Sequence, residues 1–367
     1  MSDADPAIII VGSGPAGVST WLHLHHLDPA LAARSLVLEK ARHPRPKLCA
    51  GGVMRAADAV LARLRIRIDT PSVPIHVVEF RYHDRRFYWR RRAYFRVVRR
   101  HEFDAALVAV ARQHGMRIHE RETFRRFQRD EDGLMVETDQ RSYRTRALVA
   151  ADGANSAVRL GLGLRETRRL ARLIEVLTPT DAGRAPEFNQ SKAVFDLNGW
   201  DQGLQGYVWD FPCWDNGRAA ISRGIYDSRF CTKRPRADLK QLFRSALEAR
   251  GALGPDRPWQ GHPERWFEPR AVFAQPHVLL VGDAAGVDPF AGEGISFALQ
   301  YGEVAARELV AAFETGDFTF SQYRPRVLAH PVGKELLWRR RLARLAYRGW
   351  PAIVFSVVCG VLSHLWR

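Results

Sequence analysis

The sequence is poor in cysteine and in long apolar runs, and each shortage excludes a class of protein. Its 367 residues hold four cysteines, Cys49, Cys213, Cys231 and Cys359, and none are spaced as Cys-x-x-Cys. We therefore expect neither a metal site nor a disulfide framework, as suits a reducing cytoplasm. No apolar run reaches the roughly 20 residues that a membrane-spanning helix needs. No secretory signal precedes the first apolar run at Ala7, so we expect a cytoplasmic protein.

Lysine is also scarce, since only six of the 56 basic residues are lysines in a chain of net charge +16. We expect no nucleic-acid partner, because no nucleic-acid-binding module or aromatic RNA-binding signature accompanies the charge. Arginines and aromatic residues interleave at 85–92 and 338–344. This pattern fits an anionic membrane surface, and it also fits a solvated strand edge and helix face.

The apolar segment 350–366 has tryptophans at both ends and is slightly short for a membrane span. We interpret it as an interfacial or re-entrant anchor, with packing on the protein's own core as the alternative. The expected location is the cytoplasm, with peripheral association at the inner face of the membrane.

A dinucleotide-binding pattern opens the chain. The apolar run 7–11 leads directly into a glycine-rich turn at 12–17 and a helical pattern, and a second run, 35–38, ends in an acid. Such glycines allow a tight turn and close backbone approach to pyrophosphate, and an acid about 20 residues later binds the adenosine ribose. The predicted cofactor contacts here are Gly12, Gly14, Ala16, Gly17, Glu39 and Lys40.

A second strand-to-loop pattern spans 278–296. Four apolar residues lead into Gly282 and Asp283, a loop of small residues and a helix. An aspartate that ends a buried strand is placed to accept a ribityl hydroxyl. Backbone N–H groups at a helix start can face pyrophosphate or a ring edge. The predicted cofactor contacts here are Gly282, Asp283, Gly292, Gly294 and Ile295.

Two further patches indicate which dinucleotide is bound. Asp152 and Gly153 follow an apolar run at 147–149, and an Arg-x-x-Phe-Asp element starts at Arg100. In this order the patches resemble the two-domain flavoprotein superfamily that includes p-hydroxybenzoate hydroxylase, over most of residues 1–310. The resemblance implies FAD, with Arg100 at its pyrophosphate, Asp152 bracing the cofactor domain and Asp283 at the ribityl chain. The segment 161–164 lacks a third glycine, so a reductant such as NADPH, or a reduced redox protein, would dock only transiently.

Two motifs narrow the resemblance to one family. The segments 47–52 (Lys-Leu-Cys-Ala-Gly-Gly) and 207–212 (Tyr-Val-Trp-Asp-Phe-Pro) are similar to elements of the geranylgeranyl reductase family. Those enzymes saturate isoprenoid double bonds in lipids with reduced FAD. The first segment departs from the common form at Ala50, where a glycine is usual, and we expect this small change to affect the shape of the loop. The resemblance implies flavin contacts for Lys47, Cys49, Ala50, Gly51 and Gly52.

Cys49 is the candidate catalytic residue. Gly51 and Gly52 permit a close and unusual backbone path, and a thiol is small and polarizable. A merely buried cysteine is the alternative.

The aromatic motif is interpreted as a substrate surface. Tyr207, Trp209 and Phe211 alternate, so they lie on one face of a strand, where each buried CH2 of a polyprenyl chain contributes about 0.8 kcal/mol. A plain sheet core is the alternative, and Pro212 predicts an edge or a strand end. The predicted substrate contacts are Tyr207, Trp209, Phe211 and Pro289.

The expected fold is α/β (α+β overall), built from three parts. A discontinuous Rossmann-like FAD-binding domain is predicted at 1–74, 98–165 and 270–325. An antiparallel-sheet substrate domain is predicted at 75–97 and 166–269. A C-terminal helical, membrane-associating segment is predicted at 326–367.

The expected reaction is hydride transfer from reduced FAD to a prenyl-lipid alkene, with an acid protonating the other carbon. Cys49 or a water near Glu293 is a candidate acid, although Glu293 fits better as the acid that opens the helix. One alternative is a flavin monooxygenase or halogenase acting on an aromatic or lipid substrate. Halogenases carry a related Trp-x-Trp-x-x-Pro element, but residue 207 is tyrosine here. Another is a non-catalytic, membrane-associated flavoprotein.

Overall fold

The computed structural model describes residues 5–165, 169–254 and 258–348. Within them the chain forms a six-stranded sheet, an eight-stranded sheet, a three-stranded sheet and the helices that cover them. The predicted α/β fold class is confirmed.

The strands and helices are numbered in chain order. The strands are β1 (Ile8–Val11), β2 (Ser35–Glu39), β3 (Gly52–Met54), β4 (Ser72–Tyr82), β5 (Arg85–Val98), β6 (Ile118–Glu120), β7 (Phe124–Arg129), β8 (Leu134–Thr138), β9 (Ser142–Thr145), β10 (Ala147–Ala150), β11 (Leu170–Pro179), β12 (Lys192–Asp196), β13 (Gly206–Asp215), β14 (Arg218–Asp227), β15 (Gln260–Arg265), β16 (Ala274–Gln275) and β17 (Val278–Leu280). The helices are α1 (Pro15–Leu27), α2 (Pro29–Ala33), α3 (Arg55–Arg63), α4 (Arg100–Gln113), α5 (Ala157–Gly161), α6 (Pro186–Asn189), α7 (Leu239–Glu248), α8 (Ile295–Thr315), α9 (Tyr323–Ala329) and α10 (Pro331–Arg348). Short 3-10 helices lie at Asn198–Gln202 and Gly282–Ala284.

The six-stranded sheet has the order β16-β17-β10-β1-β2-β6, and it is parallel except for β16. Its register places Ile9 between Leu36 and Leu148, and these three side chains are fully buried. Parallel strands are covered on both faces, which explains their continuous apolar runs. The carboxyl ends of β1, β2, β10 and β17 meet at one edge, where ligands bind in open α/β sheets.

The eight-stranded sheet has the order β15-β11-β14-β13-β12-β4-β5-β3, with β12 and β4 as its parallel pair. Its register aligns Trp209 with Phe195 on one side and with Gly224 on the other. Because side chains alternate along each strand, one face collects aromatic residues and the opposite face collects Glu79, Lys192 and other charged residues.

The predicted position of Pro212 at a sheet edge or strand end is wrong. β13 lies inside the sheet and continues to Asp215. It pairs with β14 along its whole length, whereas its ladder with β12 covers only Val208 to Asp210. Because that ladder ends before residue 212, a proline without an N–H is tolerated in an internal strand.

The predicted domain division is a proposal that most of the sheet assignments support. β4, β5 and the strands from β11 to β15 build the larger sheet, as the boundaries of the substrate domain require. Residues 52–54, which the boundary at residue 74 assigns to the FAD-binding domain, form β3 and pair with β5 in that larger sheet.

Helix α10 lies in the predicted C-terminal segment, whereas α9 begins at Tyr323, before the predicted boundary at residue 326. Leu342, Ala343 and Tyr347 of α10 are buried in the core beneath the larger sheet. Among the described helices, none is long and apolar enough to cross a membrane. The predicted anchor at 350–366 lies outside the described residues.

Candidate functional site

A cavity of about 640 Å³ joins the carboxyl edge of the six-stranded sheet to the aromatic face of the larger sheet. It brings together most of the residues that the sequence predicts for cofactor and substrate. Those lining it are Gly12, Gly14, Ala16, Glu39, Lys40, Lys47, Cys49, Ala50, Gly52, Arg100, Asp152, Tyr207, Trp209, Phe211, Asp283, Gly292, Gly294 and Ile295. Gly17, Gly51, Gly282 and Pro289 do not line it.

The three glycines that lie off the cavity are packing positions. A Cβ on Gly17 would overlap the carbonyl oxygen of Gly12, and one on Gly51 would overlap that of Val98. A Cβ on Gly282 would lie 2.8 Å from the Cβ of Ala16. These glycines shape the cavity because they let its walls approach each other.

Glu39 ends β2 with its carboxylate already hydrogen-bonded. It accepts from the N–H of Ser13 (3.2 Å), the hydroxyl of Ser13 (2.7 Å) and the N–H of Ala41 (3.0 Å). Burial alone would raise the pKa of Glu39. The guanidinium of Arg45, whose Nε lies 3.3 Å away, and these hydrogen bonds instead hold it below its ordinary value. The group is therefore a charged acceptor at the cavity wall.

The residues at this end of the cavity fit a dinucleotide. Gly14 has extended backbone, and a Cβ there would meet only the Nη2 atom of Arg45, at 3.7 Å. The space that a side chain at residue 14 would fill is thus open. It lies at the first turn of α1, where backbone N–H groups favour anions. Half-buried Asp152 also lines the cavity, and its Oδ1 atom has no hydrogen-bond partner among the described residues. An open helix start, two carboxylates and Asp283 form the donor and acceptor set that FAD requires.

A second polar group surrounds Lys47. The Nζ of Lys47 donates to the Nε2 of His262, 2.7 Å away. Burial, reinforced by the charge of Lys47, lowers the pKa of His262 to about 4, so the imidazole is neutral at neutral pH. Burial also lowers the pKa of Lys47, although Asp283 opposes that change. His262 was not predicted from the sequence.

Arg100 is buried and forms an ion pair with Asp104. Its Nε and Nη2 atoms donate to the two carboxylate oxygens of Asp104, at 2.7 and 2.9 Å. Burial disfavours the charge, but Asp104 outweighs this effect and raises the pKa of Arg100. The guanidinium is therefore a fixed positive charge on the cavity wall.

The far end of the cavity is aromatic. The ring of Phe195 lies 4.8 Å from that of Tyr207, 5.1 Å from that of Phe211 and 5.3 Å from that of Phe80. Trp209 lies beside Tyr207 and is almost wholly buried. The predicted single face of Tyr207, Trp209 and Phe211 is thus a cavity wall that excludes water.

Glu264 is a cavity residue that the sequence reasoning missed. It lies on β15, and its register with Ala171 places it on the same face as His262. Its Oε1 atom has no hydrogen-bond partner among the described residues. Burial raises the pKa of Glu264 well above its ordinary value, and the charges of Asp283 and Asp288 raise it further. Residues 260–265 (Gln-Gly-His-Pro-Glu-Arg) do not alternate between polar and apolar residues, so no sequence pattern pointed to this strand.

Glu293 and two residues of α10 complete the wall. Burial raises the pKa of Glu293 to about 7. Its Oε1 accepts from the N–H of Ser296, at 2.8 Å, which fits the expected role of opening α8. Arg339 and Tyr347 of α10 also line the cavity, and the Nη1 of Arg339 donates to Asp288 at 3.1 Å. No local pattern predicts these contacts, because they join segments far apart in the chain.

A family model described as an FAD binding domain matches residues 5–330. The chain belongs to this family. It is 28% identical over 337 residues to digeranylgeranylglycerophospholipid reductase 1 of Methanopyrus kandleri, covering 86% of this chain and 83% of the relative. It is 27% identical over 364 residues to menaquinone reductase of Mycolicibacterium smegmatis, covering 92% and 84%.

Solved structures share the fold. A geranylgeranyl bacteriochlorophyll reductase-like protein of Thermoplasma acidophilum superposes with a TM-score of 0.73 at 20% identity, covering 93% of this chain and 88% of its own. The p-nitrophenol 4-monooxygenase of Pseudomonas putida superposes with a TM-score of 0.69 at 19% identity, covering 99% and 94%. At these identities the likeness concerns the fold alone.

The protein is an FAD-dependent oxidoreductase related to the geranylgeranyl reductases. The predictions of family and cofactor are thereby confirmed. The roles of individual residues, including Cys49, stay predictions.

Replacing Gly14 with valine is expected to remove FAD without unfolding the protein, because only the cofactor would occupy the space of the new side chain. Gly17→Val is the matched control. Its side chain would overlap the carbonyl oxygen of Gly12, so it is expected to lower the melting temperature as well. Flavin absorbance per chain and the melting temperatures of the flavin-free proteins check this. Normal flavin content in Gly14→Val would contradict the assignment.

Proposed function

We propose that the protein saturates C=C bonds of a prenyl lipid with reduced FAD, and that NADPH or a reduced redox protein reduces the flavin again after each turnover. The observation that carries the proposal is the division of the cavity into a polar end and an aromatic end. The first suits a dinucleotide and the second suits an apolar chain. The relatives named as a phospholipid reductase and a menaquinone reductase support this substrate class.

FAD would lie along the carboxyl edge of the six-stranded sheet. The start of α1 and Arg100 would hold its pyrophosphate, Glu39 its adenosine ribose and Asp283 its ribityl chain. Lys47, Cys49 and the loop 292–294 would lie beside its ring. When bound and reduced, FAD supplies the hydride.

The aromatic wall would bind and orient the lipid. Tyr207, Trp209 and Phe211 would pack against the chain, where each buried CH2 contributes about 0.8 kcal/mol. An isolated alkene is a poor hydride acceptor. The wall must therefore exclude water and hold the alkene within reach of the donor.

Glu264 is the side chain best placed to supply the proton. Its buried carboxyl lines the cavity, and burial together with the neighbouring acids Asp283 and Asp288 raises its pKa, which favours the protonated form. A neutral acid can protonate one alkene carbon, whereas an ionised carboxylate cannot. We assign this role to Glu264 ahead of Glu293, because Glu293 already accepts from Ser296.

The second candidate is a flavin monooxygenase, which the fold likeness to p-nitrophenol 4-monooxygenase favours. Oxygen consumption coupled to oxidation of an aromatic substrate would support it. A product gaining two hydrogen atoms without oxygen would support the reductase.

We also propose peripheral association with an anionic membrane. Arg86, Tyr88 and Arg90 lie on one exposed face of β5, and the guanidinium of Arg90 lies 5.6 Å from the Tyr88 ring centroid. Exposed arginines beside an aromatic ring suit an anionic lipid surface.

The reductase proposal predicts that dithionite-reduced protein adds the mass of H2 to a prenyl lipid for each bond saturated, under exclusion of oxygen. Trp209→Ala is expected to raise the lipid concentration at half-maximal rate, because it removes wall area. Cys49→Ala is expected to lower the maximal rate with flavin retained. Mass spectrometry of the extracted lipids is the measurement, and wild-type kinetics in both variants would remove the support of these motifs.

Glu264→Gln is expected to lower the rate about 100-fold or more while FAD stays bound, as when a general acid is lost. The acid acts while protonated, so the wild-type rate should fall as pH rises through the raised pKa of Glu264. This descending limb of the pH–rate profile should be absent from the Gln variant. Rates measured from pH 5 to pH 9 check this, with Glu293→Gln as the matched control. If the limb disappears in Glu293→Gln instead, the proton comes from that residue.

A chain ending at Arg348 is expected to keep its flavin but to sediment less with phosphatidylserine vesicles than the full chain. The deleted segment carries the apolar run, and each neighbouring arginine adds about 1 kcal/mol at an anionic surface. Vesicle binding of the full chain should weaken in high salt and on neutral phosphatidylcholine. Equal sedimentation of the two chains would contradict the anchor.

A further inference from the structure

One buried carboxylate, Glu175, lies behind both motifs of the proposed lipid site. It lies in the middle of β11, paired with Gly224 of β14 and Gln260 of β15, and is 3% exposed. A carboxylate in such a place loses its hydration, which raises the pKa of Glu175, while Arg99 opposes that change. It must therefore be held by several donors.

Three donors meet this carboxylate. Its Oε2 atom accepts from the backbone N–H of Cys49, at 3.0 Å. Its Oε1 atom accepts from the Nη1 of Arg99 (2.8 Å) and from the hydroxyl of Ser222 (3.0 Å). An ionised carboxylate accepts at both oxygens, whereas an amide accepts at one and donates from the other. The arrangement is thus specific for the carboxylate.

The contact with Ser222 extends to the aromatic wall. The indole Nε1 of Trp209 donates to the Oγ of Ser222, at 3.1 Å. Because an indole nitrogen only donates, the hydroxyl proton of Ser222 is left for Glu175. The Trp209 ring lies over Gly224, where an added Cβ would overlap it. The hydrogen bond to Ser222 and the absence of a side chain at Gly224 therefore both help to fix the orientation of the Trp209 ring.

We propose that Glu175 is a positioning residue that fixes the Cys49 loop relative to the Trp209 ring. Residues 49 and 209 belong to different motifs and to different walls of the cavity, and Glu175 connects them through one contact and one relay. Its consequence for catalysis rests on the proposed function, since the gap between loop and ring is where the apolar chain would lie. The coupling itself depends only on this protein's own contacts.

The test uses the flavin-bound full chain and two readouts that need no lipid. One is the rate at which iodoacetamide alkylates Cys49, which peptide mass spectrometry separates from the other cysteines. The other is the emission of Trp209, taken as the difference from the same protein carrying Trp209→Phe. Flavin content and melting temperature are measured alongside.

Glu175→Gln is expected to raise the alkylation rate of Cys49 about tenfold or more and to shift Trp209 emission. The side-chain NH2 of glutamine only donates, so it would face either the N–H of Cys49 or the donors of Ser222 and Arg99. In either orientation a charge-assisted hydrogen bond is replaced by two donors that face each other. Ser222→Ala is the matched control. It should shift Trp209 emission to a similar extent and leave Cys49 alkylation at the wild-type rate.

Unchanged alkylation and emission in Glu175→Gln would overturn the proposal. Equal acceleration of Cys49 in Ser222→Ala would overturn it too, since this would show general loosening of the sheet. Should Glu175→Gln fail to fold, Glu175→Asp replaces it: the shorter carboxylate keeps its charge near Arg99 but withdraws from the Cys49 N–H, so alkylation should still accelerate. If both readouts respond as expected while no prenyl lipid is reduced, the positioning role stands and the proposed substrate is wrong.

Discussion

The close approach of α1 to its neighbours is the contact on which the rest of the site depends. A Cβ on Gly17 would overlap the carbonyl of Gly12, and one on Gly12, where φ is +104°, would overlap the carbonyl of Ala151. On the other side of α1, a Cβ on Gly302 would overlap Ser19, so α8 also packs directly on α1. Because these elements touch backbone to backbone, the start of α1 and the start of α8 open into one cavity.

The larger sheet separates two chemistries by the alternation of its strands. On the face away from the cavity, Asp210 pairs with both Arg223 and Arg250, at 3.0 and 2.8 Å, and Lys192 pairs with Glu79 at 2.8 Å. A buried network of this kind contributes little net stability, because desolvation offsets the attraction. The network does determine which face of the sheet lines the cavity, since exchanging the two faces would place these charges in the apolar cavity. The cavity face can therefore stay apolar apart from a few carboxylates and His262.

Local patterns predicted the parts of the site that lie next to each other in sequence. The glycine turn after β1 and the acid of β2 were readable because strand, loop and helix follow one another within 39 residues. Glu175 and Glu264 were not readable, since each acts through partners on other strands and period-two alternation gives a face but no neighbour. The prediction that Pro212 lies at a sheet edge or strand end was wrong for a related reason. The rule that excludes proline from internal strands assumes a full ladder of hydrogen bonds on both sides, and β12 is too short to provide one.

Helix α10 shows how a segment beyond the nucleotide fold enters the same cavity. Arg339 is buried and bridges Asp288, at 3.1 Å, and Glu335, at 2.8 Å. Burial would disfavour its charge, yet these two carboxylates raise the pKa of Arg339, so the guanidinium stays charged. Asp288 lies in the loop between Ala284 and α8. Removing either partner of a buried ion pair costs about 3–5 kcal/mol. This ion pair thus connects α10 to the loop beside the proposed flavin ring. An outward movement of α10 would have to break a buried ion pair at the cavity wall.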